Sequence, residues 1–313
     1  RHRHESFEFL LVGDETQIES ALDKHPNLRA ASEILHSDIV VTPDDKVSAA
    51  LRKAKTSSMG MAINAVKSGD ASAAVSGGNT GALMATAKLA LRTMPGIDRP
   101  ALSALLPTLE DTDVVMLDLG ANTECEAKNL VQFAIMGAAY SRIIFGFDRP
   151  RVRLLNIGTE EMKGTESLRD AAQHLRDASG LHMDFQGFVE ADKINRGECD
   201  VVVCDGFTGN IALKSIEGTA RFVTDLLRRA FTSSIRSKFG FLVSRPATEL
   251  LRHHLDPNNH NGAVFMGLNG VVVKSHGSAN IKGVAHAVEV AARLVEEDIT
   301  ARITQDLARV QAG

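Results

Sequence analysis

No apolar run in these 313 residues approaches the roughly 20 needed to cross a bilayer as a helix. No signal-peptide pattern opens the chain either. Positive charge is not in excess: 35 Lys and Arg stand against 39 Asp and Glu, a net −4, which leaves no electrostatic footprint for nucleic acid. Cysteine is scarce. The three present, Cys125, Cys199 and Cys204, cannot all pair within one chain, and reduced thiols in a cytoplasmic protein are the simple expectation. Internal repeats, low-complexity tracts and linkers are missing, so a single domain over residues 1–313 is the default. So are a Gly-x-Gly-x-x-Gly dinucleotide fingerprint and a cluster of aspartates for a metal; a nicotinamide-dependent dehydrogenase is disfavoured, and neither cofactor nor metal is expected. His2 and His4 read as a frayed end and receive no role.

What is present is ordinary globular composition, 44% hydrophobic and 24% charged, in a chain long enough for a sizeable core. Strand-like runs recur at Phe9–Val12, Ala73–Val75, Val114–Leu117, Val152–Leu155, Met183–Phe185, Val201–Cys204 and Val271–Lys274. Helical patterns lie between most of them, at Gln17–Lys24, Lys46–Ala54, Ser58–Ser68, Gly81–Arg92, Leu130–Phe145, Glu166–Ala178 and Gly209–Phe231. This alternation predicts an α/β protein with a mostly parallel sheet covered on both faces. One long final helix is expected from Asn280 to Val310, introduced by Ser278 as its N-cap.

Several strand ends share a grammar. Ser76-Gly77-Gly78-Asn79-Thr80-Gly81 follows one apolar run, and Leu117-Asp118-Leu119-Gly120-Ala121-Asn122, Leu154-Leu155-Asn156-Ile157-Gly158 and Asp205-Gly206-Phe207-Thr208-Gly209-Asn210 follow three others. A strand, a glycine turn and a helix start present main-chain N–H groups to an anion. A lone turn of this kind is a plain βα connection. Four together predict one polar site outside the carboxyl ends of the strands.

Within these turns three side chains suit chemistry. Lys163, flanked by Gly164 at the mouth of the sheet, fits a phosphate ligand or an ordinary solvated lysine. Asn210 fits either a helix cap or a donor to an oxyanion formed in acyl transfer. His276 fits a proton shuttle or a hydrogen-bonded loop histidine. Cys125 has no identifiable base beside it, so no nucleophilic role is assigned.

The stretch from Leu226 to Leu255 differs in kind. It carries Arg228, Arg229, Arg236, Lys238, Arg245 and Arg252 against one acid, Glu249, with Phe231, Ile235, Phe239, Phe241, Leu242 and Val243 between them. Pro246 separates two helical halves. Three readings stand: a helix pair lying on anionic lipid, an amphipathic hairpin whose apolar face is core, and a docking face for an acidic protein.

Taken in order, Ala50-Leu51-Arg52, Ser57-Ser58-Met59, the Ser76–Ala82 turn, Pro95-Gly96-Ile97-Asp98-Arg99-Pro100, the Leu117–Asn122 turn, Leu130–Ala134, Leu154–Gly158 with Lys163-Gly164, Asp205–Asn210 and His276-Gly277-Ser278 resemble the bacterial phosphate acyltransferases. These are the acyl-carrier-protein:phosphate transacylases of phospholipid synthesis. Each motif is weak alone; the ordered set, from about Phe9 into the last helix, is specific.

The resemblance implies a three-layer α/β/α sandwich of the isocitrate and isopropylmalate dehydrogenase type, a homodimer, and a projecting helical pair over about residues 219–262. It implies acyl carrier protein and inorganic phosphate as substrates and no cofactor. Lys163 and Asn210 fall on the family's catalytic lysine and asparagine; the local reading adds His276 or a water as the proton donor to the leaving thiolate. From the shared glycine turns rather than from the resemblance, Ser76, Asn79, Thr80, Gly81, Asn122, Asp205 and Gly209 are expected to bind phosphate and substrate, with the phosphate on Asn79–Gly81 and Lys163. Arg236, Lys238, Phe239, Phe241, Leu242 and Arg245 fall on the membrane-associating tip. Such a protein would be cytoplasmic and peripherally membrane-attached, handing acyl phosphate to a membrane-bound glycerol-3-phosphate acyltransferase. Family members open with a strand and loop reading Ala-Val-Asp-Ala-Met-Gly-Gly-Asp. Nothing like it precedes Phe9: either that part is missing from the sequence as given or this member lacks it, and only its true absence would cost the sheet a strand and the site a glycine-rich wall. Two rivals stay in view: a coenzyme A-dependent phosphate acetyl- or butyryltransferase, and a non-catalytic scaffold at the membrane surface.

Overall fold

Short runs of valine and leucine without polar alternation build the sheet, because both of its faces are covered. The computed structural model describes residues 7–42 and 44–312; His2 and His4 lie outside the described residues. β1 (Phe9–Gly13), α1 (Glu15–Leu22), α2 (Pro26–Ala30) and β2 (Ser32–His36) come first, and β1 and β2 pair in parallel as a separate two-stranded sheet. Next are α3 (Val47–Arg52), α4 (Ser58–Ser68), β3 (Ala73–Ser76), α5 (Thr80–Leu91), β4 (Ala101–Leu106) and β5 (Val114–Leu117). Then follow α6 (Ala127–Phe145), β6 (Arg151–Leu155), α7 (Glu166–Asp177), β7 (Asp184–Val189), a 3-10 turn at Ala191–Arg196 and β8 (Val201–Val203). The last third holds α8 (Gly206–Thr232), α9 (Ile235–Val243), α10 (Arg245–His254), a 3-10 turn at Pro257–His260, β9 (Ala263–Met266), β10 (Val271–Lys274), α11 (Ile281–Glu296) and α12 (Ile299–Ala312).

The main sheet has eight strands in the order β3-β10-β9-β4-β5-β8-β6-β7. Four of its seven ladders are parallel and three, all involving β9 or β4, are antiparallel. The sheet is therefore mixed and, as expected, mostly parallel, with its parallel ladders on the two flanks. Successive side chains point to opposite faces. On β5, Val115 and Leu117 enter one core with α6, α7, α11 and α12, while Val114 and Met116 enter the other with α3, α4, α5 and the inner face of α8. That gives three layers.

The expected single C-terminal helix is two. α11 stops at Glu296 with Glu297 as its C-cap, and Asp298 takes a positive φ of 45° before α12 begins. Asn280, not Ser278, caps α11, accepting a hydrogen bond from the Gly283 N–H at 3.0 Å. Asp306 on α12 pairs with Arg142 on α6 at 2.6 Å, both nearly buried, and ties the last helix to the core.

α8 leaves the body. Its only fully buried residues are Gly206 and Gly209, and α9, which packs against it, has none. Phe231 and Phe241 meet at 5.2 Å between ring centroids, but Phe222, Leu226, Ile235, Phe239, Leu242, Val243 and Leu250 are exposed. Among the described residues no helix is long and apolar enough to cross a membrane.

Candidate functional site

Three adjacent parallel strands, β5, β8 and β6, end at the same edge of the sheet. The turns after them are the Asp118–Asn122, Asp205–Asn210 and Asn156–Gly164 segments, so the structure brings three of the four glycine turns together. The fourth does not join them. β3 and β10 run antiparallel to those strands through the β9 and β4 ladders, so the Ser76–Gly81 turn and His276 leave from the opposite edge. The expected common rim is corrected to two clusters, because two strands that the sequence pattern did not reveal reverse the direction of the sheet.

In the first cluster, α8 is seated on the turn after β5. A Cβ at Gly206 would stand 2.5 Å from the Asn122 carbonyl oxygen, and one at Gly209 would stand 1.9 Å from that of Asp118. Three residues apart on one helix face, these glycines let the helix start touch main chain. Asp205 is the cap: its carboxylate accepts from the Thr208 N–H and hydroxyl, both at 2.8 Å. Asn210 therefore does not cap α8. It lies in the second turn, and its side-chain amide donates to the Leu119 carbonyl at 3.0 Å.

Asn122 faces inward. Its amide donates to the Pro100 carbonyl at 2.8 Å and to Asp118 at 2.9 Å, so its side chain builds the turn. Asp118, wholly buried, accepts from the N–H groups of Leu102, Gly120, Ala121 and Asn122 at 2.7–3.1 Å. Burial pushes its carboxyl above the ordinary value, and those donors pull the other way. Burial, together with the charges of Asp118 and Asp205, pushes the Cys125 thiol up to about 12. A thiol so held is no nucleophile at neutral pH.

Lys163 lies in the turn after β6. Its stem crosses Gly158, where a Cβ would stand 3.1 Å from Lys163 Cγ, and the residue is exposed. Buried Asn156 fixes this loop, donating to the Lys163 carbonyl at 3.1 Å while its own oxygen accepts from the Ile157 N–H at 2.8 Å. Ile157 and Met162 on this loop and Phe207 and Ile211 on α8 are exposed, giving the edge an apolar border.

The second cluster is smaller. Asn79 caps α5, accepting from the Ala82 N–H at 3.0 Å, with Thr80 and Gly81 in the first turn; Ser76 accepts from the Gly78 N–H at 3.2 Å. His276 is exposed, with Nδ1 2.8 Å from the Ser278 hydroxyl. Half-buried Lys274 donates to the carbonyls of Gly77 and Ser275, and burial lowers its pKa. Asp118, Asn156 and Lys274 were missed in the sequence. A polar residue closing an apolar run is the signal each one carried.

This framework defines a class. It superimposes with a TM-score of 0.53 on the EutD phosphotransacetylase of Staphylococcus aureus, covering 92% of this chain and 94% of that one at 18% identity. For a phosphotransacetylase of Streptococcus pyogenes the TM-score is 0.55, with 93% and 94% covered at 16% identity. The fold is thus shared with phosphotransacetylases. Residues 1–302 match the family described as fatty acid synthesis protein, and the chain belongs to that family. A phosphate acyltransferase of Erythrobacter litoralis is 75% identical over 310 residues, 99% of this chain and 87% of the relative. One of Parvibaculum lavamentivorans is 53% identical over 309 residues, 98% and 85% of the two chains.

Proposed function

We propose that this chain is a phosphate acyltransferase moving a fatty acyl group from an acyl-carrier-protein thioester to inorganic phosphate. The observation that carries the reading is the placing of Lys163 and Asn210 at neighbouring strand ends in a chain 75% identical to a phosphate acyltransferase. A thioester is already activated, so no covalent enzyme nucleophile is required. A phosphate oxygen attacks the carbonyl carbon, a C–O bond forms, and the C–S bond then breaks. The departing thiolate takes a proton and leaves as the free carrier thiol.

Lys163 holds the phosphate dianion as a point charge. The Asn210 amide donates to the carbonyl oxygen as it gains charge, the type of interaction whose loss costs about 10²–10³ in turnover. The exposed border of Ile157, Met162, Phe207 and Ile211 suits the first methylenes of the chain. Water protonates the thiolate in this reading, because His276 ends a strand at the other edge and its Nδ1 is already engaged by Ser278. We assign the second cluster, Ser76, Asn79, Thr80 and Gly81, to substrate binding. Gly209, Asn122 and Asp205 shape the first.

The exposed apolar and basic surface of α9 and α10, with Arg236, Lys238, Phe239, Phe241, Leu242 and Arg245, is read as the contact with anionic membrane or carrier protein. A single domain, an isocitrate dehydrogenase-type ancestry, homodimerisation, a cytoplasmic location and handover to a membrane-bound glycerol-3-phosphate acyltransferase belong to the same proposal. The deciding experiment follows free thiol from long-chain acyl carrier protein with and without phosphate. Phosphate-dependent thiol release with formation of acyl phosphate is expected. Equal or faster turnover of a short-chain coenzyme A thioester would move the reading to the acetyl- or butyryltransferases, and vesicle binding without any acyl phosphate would move it to a scaffold.

A further inference from the structure

The Leu119–Gly120 peptide is held at both ends. Its N–H donates to Asp118 Oδ1 at 3.1 Å, and its carbonyl accepts from Asn210 Nδ2 at 3.0 Å. In a planar trans peptide these two groups point in opposite directions. A carboxylate that pins the N–H therefore aims the carbonyl. Asp118 Oδ1 also takes the N–H groups of Leu102 and Ala121, at 2.9 and 3.0 Å, so the oxygen itself cannot wander. Its Oδ2 takes the N–H and the side-chain amide of Asn122, at 2.7 and 2.9 Å. No atom of Asp118 reaches solvent, as its 0% exposure states, so it touches no substrate.

We propose that Asp118 is a positioning residue for Asn210: by fixing the Leu119–Gly120 peptide it locks the Asn210 amide through one N–H and leaves the second as the donor to the oxyanion. The inference rests on the role given to Asn210 above. Gly120 allows the arrangement, because its φ of +132° is closed to other residues and a Cβ there would stand 3.0 Å from Asn210 Nδ2. A carboxylate is needed rather than an amide. Asn at this position has one acceptor oxygen for two donor sets, so its NH₂ must face either the N–H groups of Leu102, Gly120 and Ala121 or the two donors of Asn122, and in either orientation the repulsion displaces the group that holds the Gly120 N–H.

The test is a double-mutant cycle on acyl transfer with a second, activity-free readout. Asp118→Asn is expected to lower kcat by about tenfold or more with little change in the KM for phosphate. Combined with Asn210→Ala it should be no slower than Asn210→Ala alone, because the two act through one donor. Losses that multiply would overturn the proposal. Independently, with asparagine labelled in ¹⁵N, one Asn210 side-chain proton should be protected from exchange in the parent protein and lose that protection in Asp118→Asn. Protection that survives the substitution would also overturn it. Should Asp118→Asn not fold, Asn122→Ala, which loosens the same turn from its other end, is read by the same two criteria. If the parent protein forms no acyl phosphate, the acyltransfer reading fails while the exchange measurement still decides the Asp118–Asn210 linkage.

Discussion

Gly209 and Asp118 approach so closely that any side chain at Gly209 would place its Cβ 1.9 Å from the Asp118 carbonyl oxygen. The buried thiol of Cys204 donates to that same oxygen at 3.3 Å and leaves no room to retreat. Gly209→Ala gains about 1 kcal/mol of helix propensity and meets backbone that cannot yield. The clash outweighs the gain. A net loss of about 1–3 kcal/mol, typical of overpacking, is expected in denaturant titration, together with reduced turnover, since α8 carries Asn210.

Lys163 and Asn210 should separate kinetically. Lys163→Ala removes a charge that meets phosphate in the ground state, so the KM for phosphate should rise by about tenfold or more. Asn210→Ala removes a donor needed as the oxyanion forms, so kcat should fall by about 10²–10³ while the phosphate KM changes little. Steady-state kinetics over a phosphate series checks both. Identical patterns in the two variants would refute the division of labour.

The thiols predict an alkaline weakness. Burial pushes Cys199 up to about 11 and Cys125 to about 12, and holds Cys204 well above its ordinary value of 9.0. Above pH 9 an unfolded chain ionises these groups and the folded chain does not. Protons are then bound more by the native state, so stability is fully present below pH 9 and falls as pH rises toward the folded values. Urea midpoints measured from pH 8 to 11 should decline, and Cys199→Ala should flatten the curve.

Vesicle sedimentation tests the projection. Phe239 and Leu242 are 67% and 64% exposed on a helix with no buried residue, beside Arg236, Lys238 and Arg245. Leu242→Glu should release the protein from anionic vesicles, and high salt should weaken what remains. Turnover of acyl carrier protein in the absence of vesicles separates the two contacts: unchanged turnover assigns Leu242 to the membrane, and a raised KM for the carrier assigns it to the carrier protein. Sedimentation unaffected by the substitution would rule out insertion of this face.

Much of the architecture could be read from side-chain pattern. The helix at Ser58–Ser68 was legible to the residue, since Ser57 caps it and Gly69 stops it with a φ of 85°. β4 was not: Ala101–Leu106 consists of Ala, Leu and Ser, which carry no strand preference, and it shows no alternation because both faces are buried. Nor was β9, Ala263–Met266. Missing these two cost more than two strands. Strand direction is not written in local pattern, so a site inferred from turns alone was assembled across both edges. The turns carrying Lys163 and Asn210 leave the same edge because β6 and β8 are direct parallel neighbours. Asp118 escaped notice for a physical reason as well: a carboxylate that serves its own backbone looks, in one dimension, like any acid at a strand end.

The position of β3 sets a timetable for biosynthesis. Among the described residues its one ladder in the main sheet is to β10, Ala73 lying opposite Val271, and β10 in turn joins β4 through β9. Emerging from the ribosome, β3 has no ladder partner in the main sheet until β10 has been made. Closing so long a loop is entropically costly, and contacts of such separation form late. Nascent chains halted before Ala263 should thus expose the sticky face of Leu83 and Ile63 to chaperones, whereas the β5-β8-β6-β7 flank, complete by Val203, can already be packed.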